Sequence, residues 1–157
     1  MRSLLTVAAL CLFGCQTSPS VQKDPAPGSG EVLLSLQRTP CFGTCPVYLV
    51  EVLGDGTLHF RGERHVKVTE PIALKLDAAT VHKVIARVEG TPFASWPNFV
   101  KQTSSDAPTV VLTFKGHTVR HYRGDLDAPE ELTKLEDDLD ALLGTERWIK
   151  GEGTETK

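Results

Sequence analysis

The sequence lacks several features that would identify a class of protein. Its longest nearly apolar run, Leu4–Phe13, is too short for a membrane-spanning helix, which needs about 20 residues to cross a hydrocarbon core of roughly 30 Å. No Lys/Arg cluster is present and the net charge is −3, so neither nucleic acid nor an anionic lipid surface is indicated as a partner. The sequence shows no Gly-rich phosphate loop and no alternating β-α-β pattern, which argues against a nucleotide-binding parallel sheet.

Recognisable catalytic and metal-binding patterns are also missing. No G-x-S-x-G nucleophile elbow occurs, and no pair of histidines has convincing zinc-ligand spacing. The acidic run Glu136-Asp137-Asp138, with Asp140, falls on the polar side of a leucine-striped helix rather than in a calcium loop, and we interpret it as a solvated face. We therefore predict a domain without enzymatic activity, cofactor or bound metal.

Four histidines lie near two predicted hairpins, His59 and His65 at the first, His117 and His121 at the second. They could converge on one edge as a pH-sensitive or metal-binding surface. Solvent-facing strand histidines are the preferred interpretation, because side-chain alternation already places His59 opposite its apolar neighbours.

The N-terminus has the order of a secretory signal: the positive Met1-Arg2-Ser3, the apolar run, then a small residue at the boundary. The boundary Leu12-Phe13-Gly14-Cys15 resembles the bacterial lipobox, although Phe13 is bulkier than the usual residue there. We predict a signal peptide over 1–14 and lipidation of Cys15, with two or more acyl chains partitioning into the bilayer, because one chain binds only marginally. Gln16 rather than Asp follows the cysteine, which favours the periplasmic side of an outer membrane over the inner membrane.

Two other interpretations of this segment are weaker. A buried N-terminal helix or strand would not explain the charge and the small residue before Cys15. An ordinary signal peptide would leave Cys15 as an odd thiol in an oxidising compartment.

Composition divides the rest of the chain into three parts. Residues 15–30 begin with the lipidated cysteine and continue in a Pro-, Ser- and Gly-rich stretch typical of a flexible tether. Residues 31–150 have the size of a single domain, and residues 151–157 are predicted to be a disordered tail.

Apolar alternation predicts the strands. Val32–Arg38 and Val47–Leu53 are rich in β-forming residues, and 57–61 follows the tight turn Gly54-Asp55-Gly56. Alternation between 66 and 76 predicts another strand or two, and 110–114 with 118–123 predicts a later hairpin.

Two helices are predicted beside these strands. Asp77 caps the first helix, whose valine stripe ends at Gly90. The second begins at Asp127-Ala128-Pro129-Glu130, a variant of the capping box, and its leucine stripe ends at Gly144. The predicted fold is α+β, an antiparallel sheet of about five to six strands with two helices packed on one face.

The most specific internal motif contains Cys41 and Cys45, four residues apart with Gly43 between them. A turn there brings the two α-carbons within the roughly 4.4–6.8 Å that a disulfide requires. The compartment inferred from the signal is oxidising, and these are the two cysteines left after removal of the signal and acylation of Cys15. We predict a structural disulfide that fixes the start of the second strand.

The segment Cys41-Phe42-Gly43-Thr44-Cys45-Pro46-Val47-Tyr48 resembles a family of uncharacterised bacterial domains, many on lipoproteins, marked by a C-F-G-x-C-P-x-Y motif. The resemblance extends over most of 31–149, including the G-D-G turn. It implies the identity of the domain but adds no activity, cofactor or catalytic residue.

Two alternatives to a structural disulfide remain. C-x-x-x-C-P also occurs in exported copper-delivery proteins, and thiolates select Cu(I), but there the cysteines open a helix, whereas Pro46 here precedes strand residues. A zinc site made of both thiols and two histidines is the second alternative, and the missing ligand spacing among the histidines argues against it. Copper binding or thiol-redox chemistry at Cys41 and Cys45 is thus the alternative to a non-enzymatic binding domain.

The irregular stretch 91–108 carries three aromatic residues, Phe93, Trp96 and Phe99. Binding residues are often found on loops held by a rigid scaffold. We predict these aromatics as a binding surface for an envelope protein or a small ligand.

Overall fold

The computed structural model describes residues 30–102 and 106–151. The predicted signal peptide, Cys15, the tether as far as residue 29 and residues 152–157 of the predicted tail lie outside the described residues. The described part contains no helix that is both long and apolar enough to span a membrane.

Over the described residues, six strands form one antiparallel sheet in the order β4-β3-β2-β1-β5-β6. The strands are β1 (Val32–Arg38), β2 (Val47–Leu53), β3 (Thr57–Arg64), β4 (Ile72–Lys75), β5 (Thr109–Phe114) and β6 (His117–Tyr122). The first strand therefore lies inside the sheet, paired with β2 on one side and β5 on the other. The predicted α+β class with an antiparallel sheet is confirmed.

Helix α1 (Ala78–Glu89) follows β4, and α2 (Glu130–Leu143) follows β6. A short helix that the sequence did not predict, α3 (Glu146–Lys150), begins just after Gly144, whose φ of 65° ends α2 in the left-handed conformation. Phe93–Ser95 forms one turn of 3-10 helix after α1.

One face of the sheet, together with the apolar stripes of the helices, forms the core. Side chains alternate along each strand, so that Leu34 and Leu36 of β1 are fully buried while Ser35 and Gln37 point to the other face and are half-buried. The helices contribute buried residues to the same cluster: Val84, Val88, Leu132, Leu135, Leu139, Leu143 and Trp148. Burial of each such aliphatic side chain stabilises the fold by roughly 1.5–3 kcal/mol relative to exposure.

The two predicted helix starts have different outcomes. The Asp77 cap is confirmed, since its Oδ1 accepts a hydrogen bond from the backbone N–H of Thr80 at 2.9 Å. The predicted capping box at Asp127 is wrong: Pro129 is the N-cap of α2 and no side chain caps it. Asp127 instead pairs with Lys101 at 3.2 Å.

The two ends of the sheet are built differently. At one end, Gly54 donates a backbone hydrogen bond to Glu31, which places the start of β1 beside the β2–β3 turn. At the other end lie the β1–β2 loop and the segments before β5 and after β6, connected by bonds such as Arg123 N–H to the Pro108 carbonyl. The candidate site lies at this second end.

Candidate functional site

The β1–β2 loop is held by the predicted disulfide. Cys41 and Cys45 are bonded, with their α-carbons 5.8 Å apart. The start of the loop is fixed to β5 as well, because the backbone N–H of Thr39 donates to the carbonyl of Thr109, and the Thr109 N–H donates back to the Thr39 hydroxyl at 2.9 Å. The loop is thus constrained on both sides of Phe42.

Phe42 is 84% exposed, an unusual position for a large aromatic side chain on a constrained loop. Beside its loop lies a cleft of about 410 Å³. The cleft is lined by Pro40, Cys41, Val100, Gln102, Ala107, Thr109, Arg120 and Tyr122. The lining therefore mixes apolar side chains with the polar groups of Gln102, Thr109, Arg120 and Tyr122.

Asp125 fixes the two other loops at this end. Its Oδ2 accepts the backbone N–H of Lys101 at 2.7 Å, and its Oδ1 accepts that of Asp127 at 3.0 Å. Desolvation acts to raise the pKa of Asp125, but these hydrogen bonds outweigh it and hold the pKa below its usual value. Leu126, between these anchored residues, is 88% exposed.

Four exposed side chains belong to the segments at this end of the sheet, Phe42, Val100, Arg120 and Leu126, and together we call them the loop surface. Among the described residues, Phe42, Val100 and Leu126 are three of the four exposed large hydrophobic side chains. Arg120 is exposed on β6, and its guanidinium pairs with no carboxylate in the described part of the chain.

The aromatic residues predicted as a binding surface lie elsewhere. Phe93 is only 2% exposed and packs edge-on against Phe114 and His117, so the prediction is wrong for this residue. Trp96 and Phe99 are half-buried against the core. Phe99 also exchanges backbone hydrogen bonds with β6, which covers part of that edge. The segment is therefore packing rather than a free surface.

A buried ionic cluster lies where α2 crosses the sheet. Asp140 Oδ2 accepts from Arg38 at 2.6 Å, and its Oδ1 accepts from the hydroxyls of Tyr48 at 2.6 Å and Thr145 at 2.8 Å. Burial raises the pKa of Tyr48, and the neighbouring Asp140 charge raises it further. The cluster ties β1 and β2 to the end of α2.

The same cluster continues to β6 through Glu136, which is fully buried. One oxygen of Glu136 lies 2.7 Å from Nδ1 of His121, and the other accepts from Arg123 at 2.8 Å. Our interpretation of Glu136 and Asp140 as a solvated face is therefore wrong, because these carboxylates bind two arginines and a buried histidine. His121 itself is 2% exposed, contrary to the solvent-facing prediction.

The histidines do not converge. His59 and His65 belong to β3 or its end, whereas His117 and His121 belong to β6, and three strands separate β3 from β6. Across residues 30–102 and 106–151, no group of three or more His, Cys, Asp or Glu side chains is arranged to hold a metal ion.

A larger groove, of about 860 Å³, lies between β4, the start of α1, and helices α2 and α3. Half-buried Leu74, Leu76, Leu142 and Ile149 line it. Of its four acidic residues, Asp137 and Asp140 are paired with Arg38, Glu146 is paired with Lys150, and Asp77 caps α1. The loop surface is the better candidate because its large apolar side chains are exposed, whereas those of the groove are half-buried.

The loop surface and the cluster could not have been found from the cysteine motif alone. Phe42 was visible as part of the motif, but exposure of Val100 and Leu126 follows from how the loops meet. Glu136 carried a readable signal, since it lies four residues after Leu132 and three before Leu139, inside the apolar stripe of α2.

Comparison with known proteins identifies a domain but no activity. No curated protein matches the chain. Residues 32–143 match a family described as Domain of unknown function (DUF6438), and these residues include every strand of the sheet and both long helices. The chain therefore belongs to the DUF6438 family.

Proposed function

We propose that the protein is a membrane-tethered lipoprotein of the cell envelope whose domain is a non-enzymatic binding module. The observation that supports binding most directly is Phe42, an almost fully exposed aromatic ring on a loop closed by the Cys41–Cys45 bond beside a cleft. A constrained loop loses little conformational entropy when a partner binds, so such a ring is a favourable anchor.

Binding is tested by pulling down variants of the full chain from crosslinked envelopes and measuring what co-purifies with each variant. We expect Phe42→Ser to reduce recovery of a co-purified component about tenfold, because aromatic anchors typically contribute more than 1 kcal/mol to an interface. Val32→Ser, which removes an exposed apolar residue at the other end of β1, is the matched control. Turnover of a small-molecule substrate that is lost in a point variant would count decisively against a binding module.

The anchor is supported by the sequence alone, through the short apolar run and the Leu12-Phe13-Gly14-Cys15 boundary. Two or more acyl chains at Cys15 give stable association with a bilayer. We expect wild-type protein in the membrane fraction with an acylated N-terminal cysteine, and Cys15→Ser in the soluble fraction. An intact Met1 with unmodified Cys15 in cytosolic material would exclude the anchor.

Thiol-redox or copper chemistry at Cys41 and Cys45 is the second candidate. Its support is that both cysteines are half-exposed and Cys41 lines the cleft, so a small reductant or a metal could reach the pair. Counting free thiols in protein purified from the envelope separates the two candidates. No reactive thiol supports a structural disulfide, whereas two thiols or bound copper support the second candidate.

A further inference from the structure

The groove between β4, the start of α1, α2 and α3 has a floor of aliphatic side chains. Leu74, Leu76, Leu142 and Ile149 lie there half-buried, so each still exposes apolar surface to solvent. No aromatic side chain is among the described residues that line it. Its volume of about 860 Å³ is within the usual range of ligand sites, roughly 300–1,000 Å³. The floor therefore suits an aliphatic ligand better than one recognised by ring stacking.

The polar side chains around this floor are already bonded within the described part of the chain. The pairs are Lys75 with Asp55, Asp77 with Thr80, Asp137 and Asp140 with Arg38, Thr145 with Asp140, Glu146 with Lys150, and Arg147 with the Leu143 carbonyl. A charged ligand would compete with these pairs, whereas an aliphatic chain leaves all of them in place. The groove thus offers apolar contact and little else.

The described part of the domain begins beside this groove. Gly30 lies against the β2–β3 turn, where a Cβ on it would be 3.7 Å from the Asp55 nitrogen. Asp55 in turn pairs with Lys75 at 3.1 Å, and the Leu76 N–H donates to the Gly56 carbonyl at 3.0 Å. Lys75 and Leu76 both line the groove. The chain before residue 30 therefore joins the domain next to the groove.

We propose that one acyl chain on Cys15 lies in this groove while the protein is out of a bilayer. The inference rests on the proposed function in one respect, because it requires acylation of Cys15. It adds a second location for an acyl chain, in the same molecule, where the chain is shielded from water until it enters a membrane.

The length of the connecting segment selects this occupant over a free lipid or a second copy. The 14 residues from 16 to 29 reach at most about 50 Å, and a chain of this composition has a root-mean-square span of roughly 20 Å. A ligand connected over so short a span has an effective concentration in the millimolar range. A groove that binds a free acyl chain only weakly is therefore filled by a connected one. A second copy at low concentration has no such advantage.

The bilayer is still the more favourable place for the acyl chain. A groove is open on one side, so it removes fewer methylene groups from water than a hydrocarbon core does. With lipid present the acyl chain leaves the groove, and without lipid it returns. Occupancy of the groove thus depends on a condition that can be varied.

A photoreactive acyl chain on Cys15 tests the proposal. Cells that export the full chain are grown with a diazirine-bearing fatty acid, and the lipidated protein is purified in detergent and then diluted until no micelles remain. Irradiation, digestion and mass spectrometry locate the crosslinks. We expect them within the same molecule, in the groove segments 74–76 and 141–150. In phosphatidylethanolamine–phosphatidylglycerol vesicles we expect crosslinks to lipid instead.

Two exposed alanines provide a matched pair of variants. Ala141 on α2 lines the groove, whereas Ala86 on α1 does not. We expect Ala141→Trp to lower the groove crosslinks about tenfold, because displacing about two methylene groups weakens binding by roughly that factor. Ala86→Trp should leave them unchanged. Both positions are exposed, so the urea midpoints of the variants should stay close to that of wild type.

Several results would overturn the proposal. They are crosslinks spread over the whole surface or confined to the loop surface, no crosslink from a labelled Cys15, and groove crosslinks that neither vesicles nor Ala141→Trp reduce. A product of twice the chain mass overturns it in favour of a second copy. Absence of label at Cys15 contradicts the anchor and this inference together, whereas a labelled Cys15 that crosslinks elsewhere contradicts this inference alone.

Discussion

At the scale of single residues, the main feature is a cluster of carboxylates that enters the core on a leucine-striped helix. Glu136, Asp137 and Asp140 face two arginines, Arg38 at the end of β1 and Arg123 just after β6. Buried charges are tolerated only when paired, and removing one partner leaves the other uncompensated. The cluster therefore makes the packing of α2 on the sheet depend on specific residues rather than on apolar area alone.

Glu136 is the member whose loss should be most damaging. We expect Glu136→Ala to lower the free energy of unfolding by about 3 kcal/mol, because His121 and Arg123 both lose their carboxylate and only Arg123 has access to water. Asp138→Ala on the same helix is the matched control: its pair with Arg87 is partly exposed and should contribute less than about 1 kcal/mol. Urea unfolding of both variants measures the difference. Equal losses would contradict a buried, paired Glu136.

Asp137 connects the cluster to the effect of pH. Burial acts to raise its pKa, but Arg123 and Arg38 outweigh burial and hold the pKa below its usual value. A lowered folded-state pKa contributes stability that is present above the unfolded value of about 3.9 and is lost as pH falls through the folded value.

We therefore expect Asp137→Asn to be less stable than wild type at pH 7, by under about 1 kcal/mol because the side chain is half-exposed. The gap should close when unfolding is measured in acid, below the folded-state pKa. A gap of constant size across that range would show that Asp137 contributes through packing and not through its charge.

At the scale of elements, the strands were predictable because one face of the sheet is toward solvent. Apolar and polar residues must then alternate along each strand. The bounds of β1 and β2 agree with the apolar pattern, and the turn between β2 and β3 has Gly56 at a φ of 83°, which glycine adopts without strain. The helix starts were harder to predict, because more than one nearby side chain can accept a hydrogen bond from the first backbone N–H groups of a helix. Asp127 matched the spacing of a cap, but Lys101 binds it, and the fixed φ of Pro129 allows α2 to begin without one.

Alanine at the two aspartates should separate a real cap from an apparent one. Asp77→Ala removes the acceptor of the Thr80 N–H and should lower the melting temperature by roughly 4 °C. Asp127→Ala removes only an exposed pair with Lys101 and should change it by less than about 2 °C. Circular dichroism on heating measures both. A larger loss at Asp127 would restore the capping box that the sequence suggested.

The disulfide acts on one loop rather than on the whole sheet. Replacement of both Cys41 and Cys45 by serine should cost about 2 kcal/mol, because the bond closes a short loop and so restricts the unfolded chain only slightly. Urea unfolding with and without reductant measures this: reductant should destabilise wild type and leave the double variant unchanged. A loss well above that size would mean that the bond supports more than the β1–β2 loop.

At the scale of the whole molecule, the sequence was sufficient for the fold class but not for the candidate site. The same alternation that predicted β6 also placed His121 beside Val119 on the inner face, so its burial was available to sequence reasoning. The loop surface was not, because Val100 and Leu126 are remote in sequence from Phe42, and the bond from Lys101 to Asp125 that links their two segments has no signal in the sequence.

A pair of phenylalanines, one buried and one exposed, gives the most direct check of which aromatic residues pack in the core and which form the surface. Phe93 lies in the segment predicted as a surface but packs in the core, so Phe93→Ala should cost about 3–4 kcal/mol of stability. Phe42→Ala removes a ring that is 84% exposed and should change stability by less than about 0.5 kcal/mol. If loss of Phe42 destabilised the fold as much as loss of Phe93, the ring would be packed in solution, and the loop surface would not stand as a binding site.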